Sequence, residues 1–169
     1  RNEKLGAKPN FNIQSSSNRE HFAISWEVPG RKKKQDDYGY VIRDASMNII
    51  QSGEYNIPFD GNMSTINQHH ISDNGDYFIS ITEHNKPNDR LFSRSFENFK
   101  AVHVYKIRNN ELNEFSIDLN SKRIDDMEMS SKNNVFSMSG IYGTGRNGTI
   151  EGIFILKYDP HKDSVLFKG

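Results

Sequence analysis

The chain has 169 residues, 22 Lys plus Arg against 22 Asp plus Glu, 34% hydrophobic residues and no Cys. That length fits one domain or a piece of a larger one, and the balanced charge excludes a global field able to hold nucleic acid or an anionic membrane. Without Cys there are no disulfides, thiolate zinc sites or cysteine nucleophiles, and no apolar run is long enough for a membrane span.

Taken in order, short apolar runs stand between clusters of Asn, Asp, Gly and Ser. The first is Phe22-Ala23-Ile24-Ser25-Trp26, followed by the long connection Pro29–Asp37 and then Tyr38-Gly39-Tyr40-Val41-Ile42. A turn at Ala45–Asn48 leads into Ile49–Tyr55, and Pro58-Phe59-Asp60-Gly61 reads as a crossover to the next unit. Thr65–His70 is the next strand. Asp73-Asn74-Gly75-Asp76 then supplies an Asn-Gly turn, where positive φ at both central residues would give a tight hairpin. Tyr77-Phe78-Ile79-Ser80-Ile81 follows, and Asn85–Lys100 reads as an exposed excursion whose end, Leu91–Lys100, is the nearest candidate for a helix. Val102–Ile107 alternates, with Val102 and Val104 separated by His103, and pairs by pattern with Leu112–Ile117. The last runs are Ile153–Tyr158 and Val165–Phe167. β-branched and aromatic residues dominate these runs, and no apolar pattern of period 3.6 persists over three turns. The chain is therefore expected to be all-β.

Three segments align. They are Ser16–Ser25, Ile71–Ser80 and Ser130–Ser139, each running from a polar Asn-containing turn into an aromatic-x-Ile/Met-Ser strand. Their closing residues, Ser25, Ser80 and Ser139, lie 55 and 59 residues apart, and a further hairpin follows each. Strand, turn, strand, loop, strand, turn, strand, repeated at that period, is the pattern of β-propeller blades. A small twisted sheet cannot cover both of its own faces, whereas sheets stacked around an axis cover one another. The expected fold is a partial propeller of three four-stranded antiparallel blades, over residues 10–57, 64–118 and 123–168. The apolar second strand of each is sandwiched between neighbours. A β-sandwich and an up-and-down barrel are the alternatives, and neither explains the threefold recurrence. Three blades do not close a ring. Either further blades of the same chain complete it, which is the favoured expectation and would make this chain an excerpt of a longer parent, or two copies pair as a homodimer.

The segment Ile71-Ser72-Asp73-Asn74-Gly75-Asp76-Tyr77-Phe78 resembles the Ser-x-Asp-Gly hairpin of WD40-like and TolB-type propeller repeats, and strand order extends the likeness over residues 10–168. Repeats one and three depart from it by lacking the Gly and Asp. The resemblance implies a repeat domain of uncharacterised exported bacterial proteins, and with it a periplasmic, outer-membrane-anchored or secreted location.

Several constellations were weighed for chemistry. Gly143-Thr144-Gly145-Arg146-Asn147-Gly148 spells G-x-G-x-x-G, but a strand pattern follows where a phosphate cradle needs a helix N-terminus. His69 and His70 are adjacent on a strand, point to opposite faces and cannot share a metal ion without a bulge. Asp125-Asp126 opens the inner strand of the third unit, where paired carboxylates line a channel mouth or do acid-base work if their environments differ. Arg31-Lys32-Lys33-Lys34, answered by Asp36-Asp37, reads as a solvated loop. Sequons at Asn62 and Asn147 are what an Asn-rich chain produces by chance. No G-x-S-x-G elbow is present. The reading is a non-enzymatic binding or scaffold module for an unknown protein or carbohydrate ligand, with no cofactor, metal or catalytic residue assigned. Asp60, Asn62, His69, Asp125 and Asp126 are its candidate ligand-binding residues. The competing reading is a glycan- or peptide-processing hydrolase or lyase, with catalytic groups in the channel or in further blades.

Overall fold

A computed structural model describes residues 9–28, 36–60, 63–85, 99–108, 110–117, 122–133, 135–143, 149–159 and 164–168. The strands are β1 (Asn10–Ser15), β2 (His21–Val28), β3 (Asp37–Asp44), β4 (Ile49–Tyr55), β5 (Ser64–Ile71) and β6 (Tyr77–His84). They continue as β7 (Phe99–Arg108), β8 (Glu111–Ile117), β9 (Arg123–Lys132), β10 (Val135–Gly143), β11 (Ile150–Asp159) and β12 (Ser164–Lys168). The protein is all-β, with no α-helix among the described residues. Each strand pairs antiparallel with its neighbour in sequence, giving three four-stranded sheets in the orders β1-β2-β3-β4, β5-β6-β7-β8 and β9-β10-β11-β12. None of the three closes on itself. Of the connections, 29–35 and 86–98 lie outside the described residues, and so does most of the helical candidate Leu91–Lys100, whose Phe99 and Lys100 begin β7.

The first two hairpins turn on the same device. Ser16 Oγ donates to Asn18 Oδ1 at 2.7 Å and accepts the His21 amide at 3.0 Å, while Asn18 Nδ2 reaches Glu20 Oε2 at 3.0 Å. In the next sheet Ser72 Oγ donates to Asn74 Oδ1 and accepts the Asp76 amide at 3.0 Å, while Asn74 Nδ2 reaches Asp76 Oδ2 at 3.1 Å. These local bonds are why Ser and Asn punctuate the chain at these points. The Asn-Gly reading of this turn needs one change. Positive φ falls on Gly75 alone (83°), because the Ser72 carbonyl takes the Gly75 amide and Ser72 Oγ shapes the bend. Arg19 (φ 60°) does the same work in the first turn, at the steric cost a side chain carries there.

Ser25, Ser80 and Ser139 take corresponding places in the pairing. They lie opposite Asn12, Gln68 and Glu128 on the first strands and opposite Tyr40, Val104 and Ile155 on the third. Strand alternation then assigns the faces. In the second sheet Tyr77, Ile79, Ile81, Tyr105 and Ile107 face the first sheet and pack on Ala23, Tyr38, Tyr40, Ile42 and Tyr55. Phe78, Val102, Val104 and Phe115 face the third sheet and pack on Met127, Met129, Phe136, Met138, Phe154, Leu156 and Tyr158. The second sheet is thus buried on both faces.

The uniform burial expected of the second strands holds only for β6. Tyr77 is fully buried, whereas its equivalent Phe22, together with Trp26, is half-buried, and Ser139 is exposed where Ser25 and Ser80 are buried. The cause is position in the stack. The first sheet has no sheet before it and the third has none after it, among the described residues.

Candidate functional site

The first strands of consecutive sheets lie side by side, β1 against β5 and β5 against β9. The hairpins beside them are tied by Asn18, whose amide donates to Asp73 Oδ1 at 2.9 Å. At the second seam Gln68 spans the gap. Its Nε2 donates to the Met127 carbonyl at 2.6 Å and its Oε1 accepts the Met129 amide at 3.2 Å. A groove of about 180 Å³ remains at this seam, bordered by Asn67, Gln68, Thr82, Asp125 and Asp126.

At the first seam the equivalent residue is Asn12, one methylene shorter, and it leaves a cleft of about 210 Å³. Asn12, Ser25, Glu27, Tyr38, Tyr55 and His69 line it. Two buried polar atoms there, Asn12 Oδ1 and Tyr55 Oη, have no hydrogen-bond partner among the described residues. Buried polar groups are nearly always paired, so two orphans lining one cleft make it the candidate site. Tyr38 and Tyr55 stack at 5.5 Å, which builds an aromatic wall. Burial pushes the Glu27 carboxyl above its ordinary range; the Asn10 side chain partly offsets this, and the nearby Asp36 charge adds to it. Burial pulls His69 down to about 4, so its ring is neutral at physiological pH and shares a 2.6 Å hydrogen bond with the Tyr77 hydroxyl.

The five residues singled out from sequence therefore separate. His69 lines the cleft. Asp125 and Asp126 lie together on the groove at the second seam, where Asp125 is ion-paired with Arg123 and Asp126 Oδ1 accepts the Met127 amide at 2.9 Å. Asp60 lies in the connection between the first two sheets, where its carbonyl accepts the Met63 amide at 2.7 Å, and it lines neither cavity. Asn62 lies outside the described residues, as do 144–148 of the Gly-rich loop, after which β11 begins rather than a helix. His69 and His70 face opposite ways, His69 toward Tyr77 and His70 toward Phe78, Phe136 and the Ser131 hydroxyl. Among the described residues no three His, Asp or Glu side chains are grouped to hold a metal ion.

Asn12, Glu27 and Tyr55 were not singled out. The available signal was the alternation Asn10-Phe11-Asn12-Ile13-Gln14, which marks β1 and puts Asn12 on the face opposite Phe11 and Ile13. A second cluster was also missed. His103 sits between Glu114 (2.5 Å from Nδ1) and Glu83 (3.2 Å from Nε2), with Lys100 on Glu83 at 2.6 Å and the Phe59 ring 4.7 Å away. Burial alone would raise the Glu83 carboxyl, but hydrogen bonds from Lys100 and His103 bring it below its ordinary value. With a carboxylate on each ring nitrogen, His103 offers no free nitrogen to a substrate.

The class these features define is an all-β protein of three antiparallel sheets. Compared with family models, curated proteins and solved structures, the chain matches none. No helix among the described residues is long and apolar enough to cross a membrane.

Proposed function

We propose that the three sheets are consecutive blades of a β-propeller, and that the protein is a binding module taking a carbohydrate in the cleft between β1 and β5. Support for the propeller comes from the repeat. Three meanders of one strand order stack face to face, with their first strands adjacent and the same positions turned the same way. Support for the ligand rests on a single observation, the unpartnered Asn12 Oδ1 and Tyr55 Oη in a cleft walled by Tyr38 and Tyr55. A sugar carries hydroxyls that satisfy such atoms and an apolar ring face that suits a tyrosine wall. Pockets of this kind orient their ligand with a few polar groups on a largely preformed surface. A longer saccharide would extend toward the groove at the neighbouring seam, bordered by Asp125 and Asp126.

The test is to titrate the protein with a panel of neutral mono- and oligosaccharides by saturation-transfer NMR, with Asn12→Gln alongside. Gln at that position fills the first seam as Gln68 fills the second. Binding by the native chain that disappears in Asn12→Gln, with unchanged near-ultraviolet circular dichroism, supports the reading. Saccharide signals that are absent, or equal in both proteins, reject it. One feature favours a second reading, a glycan-processing hydrolase: Glu27 lines the same cleft, and burial shifts its carboxyl upward, the direction a general acid needs. In that case native protein releases new reducing ends from a bound oligosaccharide and Glu27→Gln binds it without cleaving it.

A further inference from the structure

The faces at the two ends of the stack are built like faces that the interior of the stack buries. On the first strands Phe11 and Ile13 are equivalent to Met127 and Met129, since each pair lies across from corresponding residues of the second strand. Met127 and Met129 are 9% and 6% exposed against the second sheet, while Phe11 and Ile13 are 67% and 69% exposed. At the other end, Ile153 and Ile155 are equivalent to Val102 and Val104. The valines are 2% and 0% exposed, and the isoleucines 69% and 37%. Both seams keep a serine at one leaving-face position, Ser25 in the first sheet and Ser80 in the second, while the neighbouring position varies: Ala23 stands there in the first sheet, and Phe78 in the second stacks on Phe136 of the third. The third sheet presents Ser137 and Ser139 at those positions, and the first sheet offers Phe22 and Ile24 with no sheet in front of them among the described residues.

We propose that a second copy of this chain covers both open faces, the outer face of the first sheet of one copy seating on the outer face of the third sheet of the other. Two chains then close a ring of six sheets. The proposal rests on the propeller reading above and continues its seam: the new contact repeats, residue position by residue position, the two that one chain already makes. The number of copies follows from geometry. Propellers typically close with about four to eight sheets. With three sheets among the described residues of each copy, two copies fall in that range, while one and three copies do not. The contact is heterologous, and a twofold axis makes two of it. At the new seam Glu128 occupies the place of Asn12 and Gln68, where its carboxylate can accept a β1 amide of the other copy as Gln68 Oε1 accepts that of Met129, though it has no donor to match Gln68 Nε2.

Sedimentation velocity across a dilution series tests this with the native chain, Ile13→Asp and Ile153→Asp. Both substituted positions are exposed in the single chain, and near-ultraviolet circular dichroism checks that the fold is kept. The native chain is expected at twice its 19.5 kDa mass, and either Asp is expected to weaken the dimer roughly 30-fold or more, because a charge then sits in a desolvated contact. An equimolar mixture of the two variants regains a heterodimer, since one of its two contacts joins unaltered faces. A native chain that stays monomeric at every concentration overturns the dimer and leaves the saccharide titration as an independent test of the single chain. A dimer dissolved by Ile13→Asp but untouched by Ile153→Asp means like faces pair, which overturns the dimer and the propeller reading together.

Discussion

The two seams of the stack use the same positions with different side chains. At the first, tyrosines and isoleucines make the core, with Tyr40 stacked on Tyr77 at 5.8 Å, and Asn12 falls short of its neighbour strand. At the second, methionines and phenylalanines take over, Phe78 stacks on Phe136 at 4.3 Å, and Gln68 bonds to the facing backbone on both sides. Shape complementarity can be met by many apolar sets of suitable volume, so the core residues drift between repeats without disturbing the stack. The single inner-strand position decides something else, whether the side chain bridges to the facing backbone, as Gln68 does, or leaves its amide oxygen without a partner among the described residues, as Asn12 does. On the proposed function, binding would turn on one residue per seam, separable from stability.

Substitutions at matched positions sharpen that contrast. Phe136→Ala, in the closed second seam, should cost about 3–5 kcal/mol in urea denaturation, the usual range for a buried phenylalanine. Phe22→Ala, at the same repeat position but on the open face, should cost about 1 kcal/mol in the dilute monomeric chain. Equal costs would mean that the first sheet's outer face is covered within one chain. Acid comes next in size. His69 is held neutral in the fold, so below pH 6.5 the unfolded chain binds a proton that the folded one refuses, and stability falls as pH drops from about 6.5 toward 4. The loss should be about 2 kcal/mol across that interval, with His70 shifted in the same direction. Glu27, raised by burial, acts in the opposite sense. Urea midpoints for the native chain and His69→Gln at pH 7.5 and 5 measure the difference, and parallel profiles would remove His69 from the account. Gln68→Ala should cost about 1–2 kcal/mol, because it strips two hydrogen bonds from the second seam. Asn12→Gln should stay within about 0.5 kcal/mol of the native stability while closing the cleft, which is the separation of binding from stability that the two seams imply.

Strand identity and order were legible in the sequence because β-branched and aromatic runs alternate between Asn, Ser and Gly turns, and those turns form by local hydrogen bonds that the residues themselves carry. The strands group into three antiparallel sheets in which Ser25, Ser80 and Ser139 take corresponding places in the pairing. Their surroundings were not legible, since burial on the second face depends on whether another sheet follows, a long-range fact that no local pattern encodes. Of the cleft, His69 could be named, as an unusual residue on an inner strand. Asn12, Glu27 and Tyr55 could not. They come from three different strands and meet only through register, and in a chain so rich in Asn no single one stands out.

The central claim is that each sheet turns one face to its predecessor and the other to its successor, and that the two end faces are mates. Because the chain has no Cys, engineered thiols report on this without interference. The Phe78–Phe136 contact of the second seam maps onto Ser137 of one copy against Phe22 of another. Phe22→Cys and Ser137→Cys chains, mixed and mildly oxidised, should give a disulfide-linked heterodimer well above either homodimer on a non-reducing gel. Homodimers of Phe22→Cys alone, or no cross-link beyond that of an exposed control such as Met47→Cys, would contradict it.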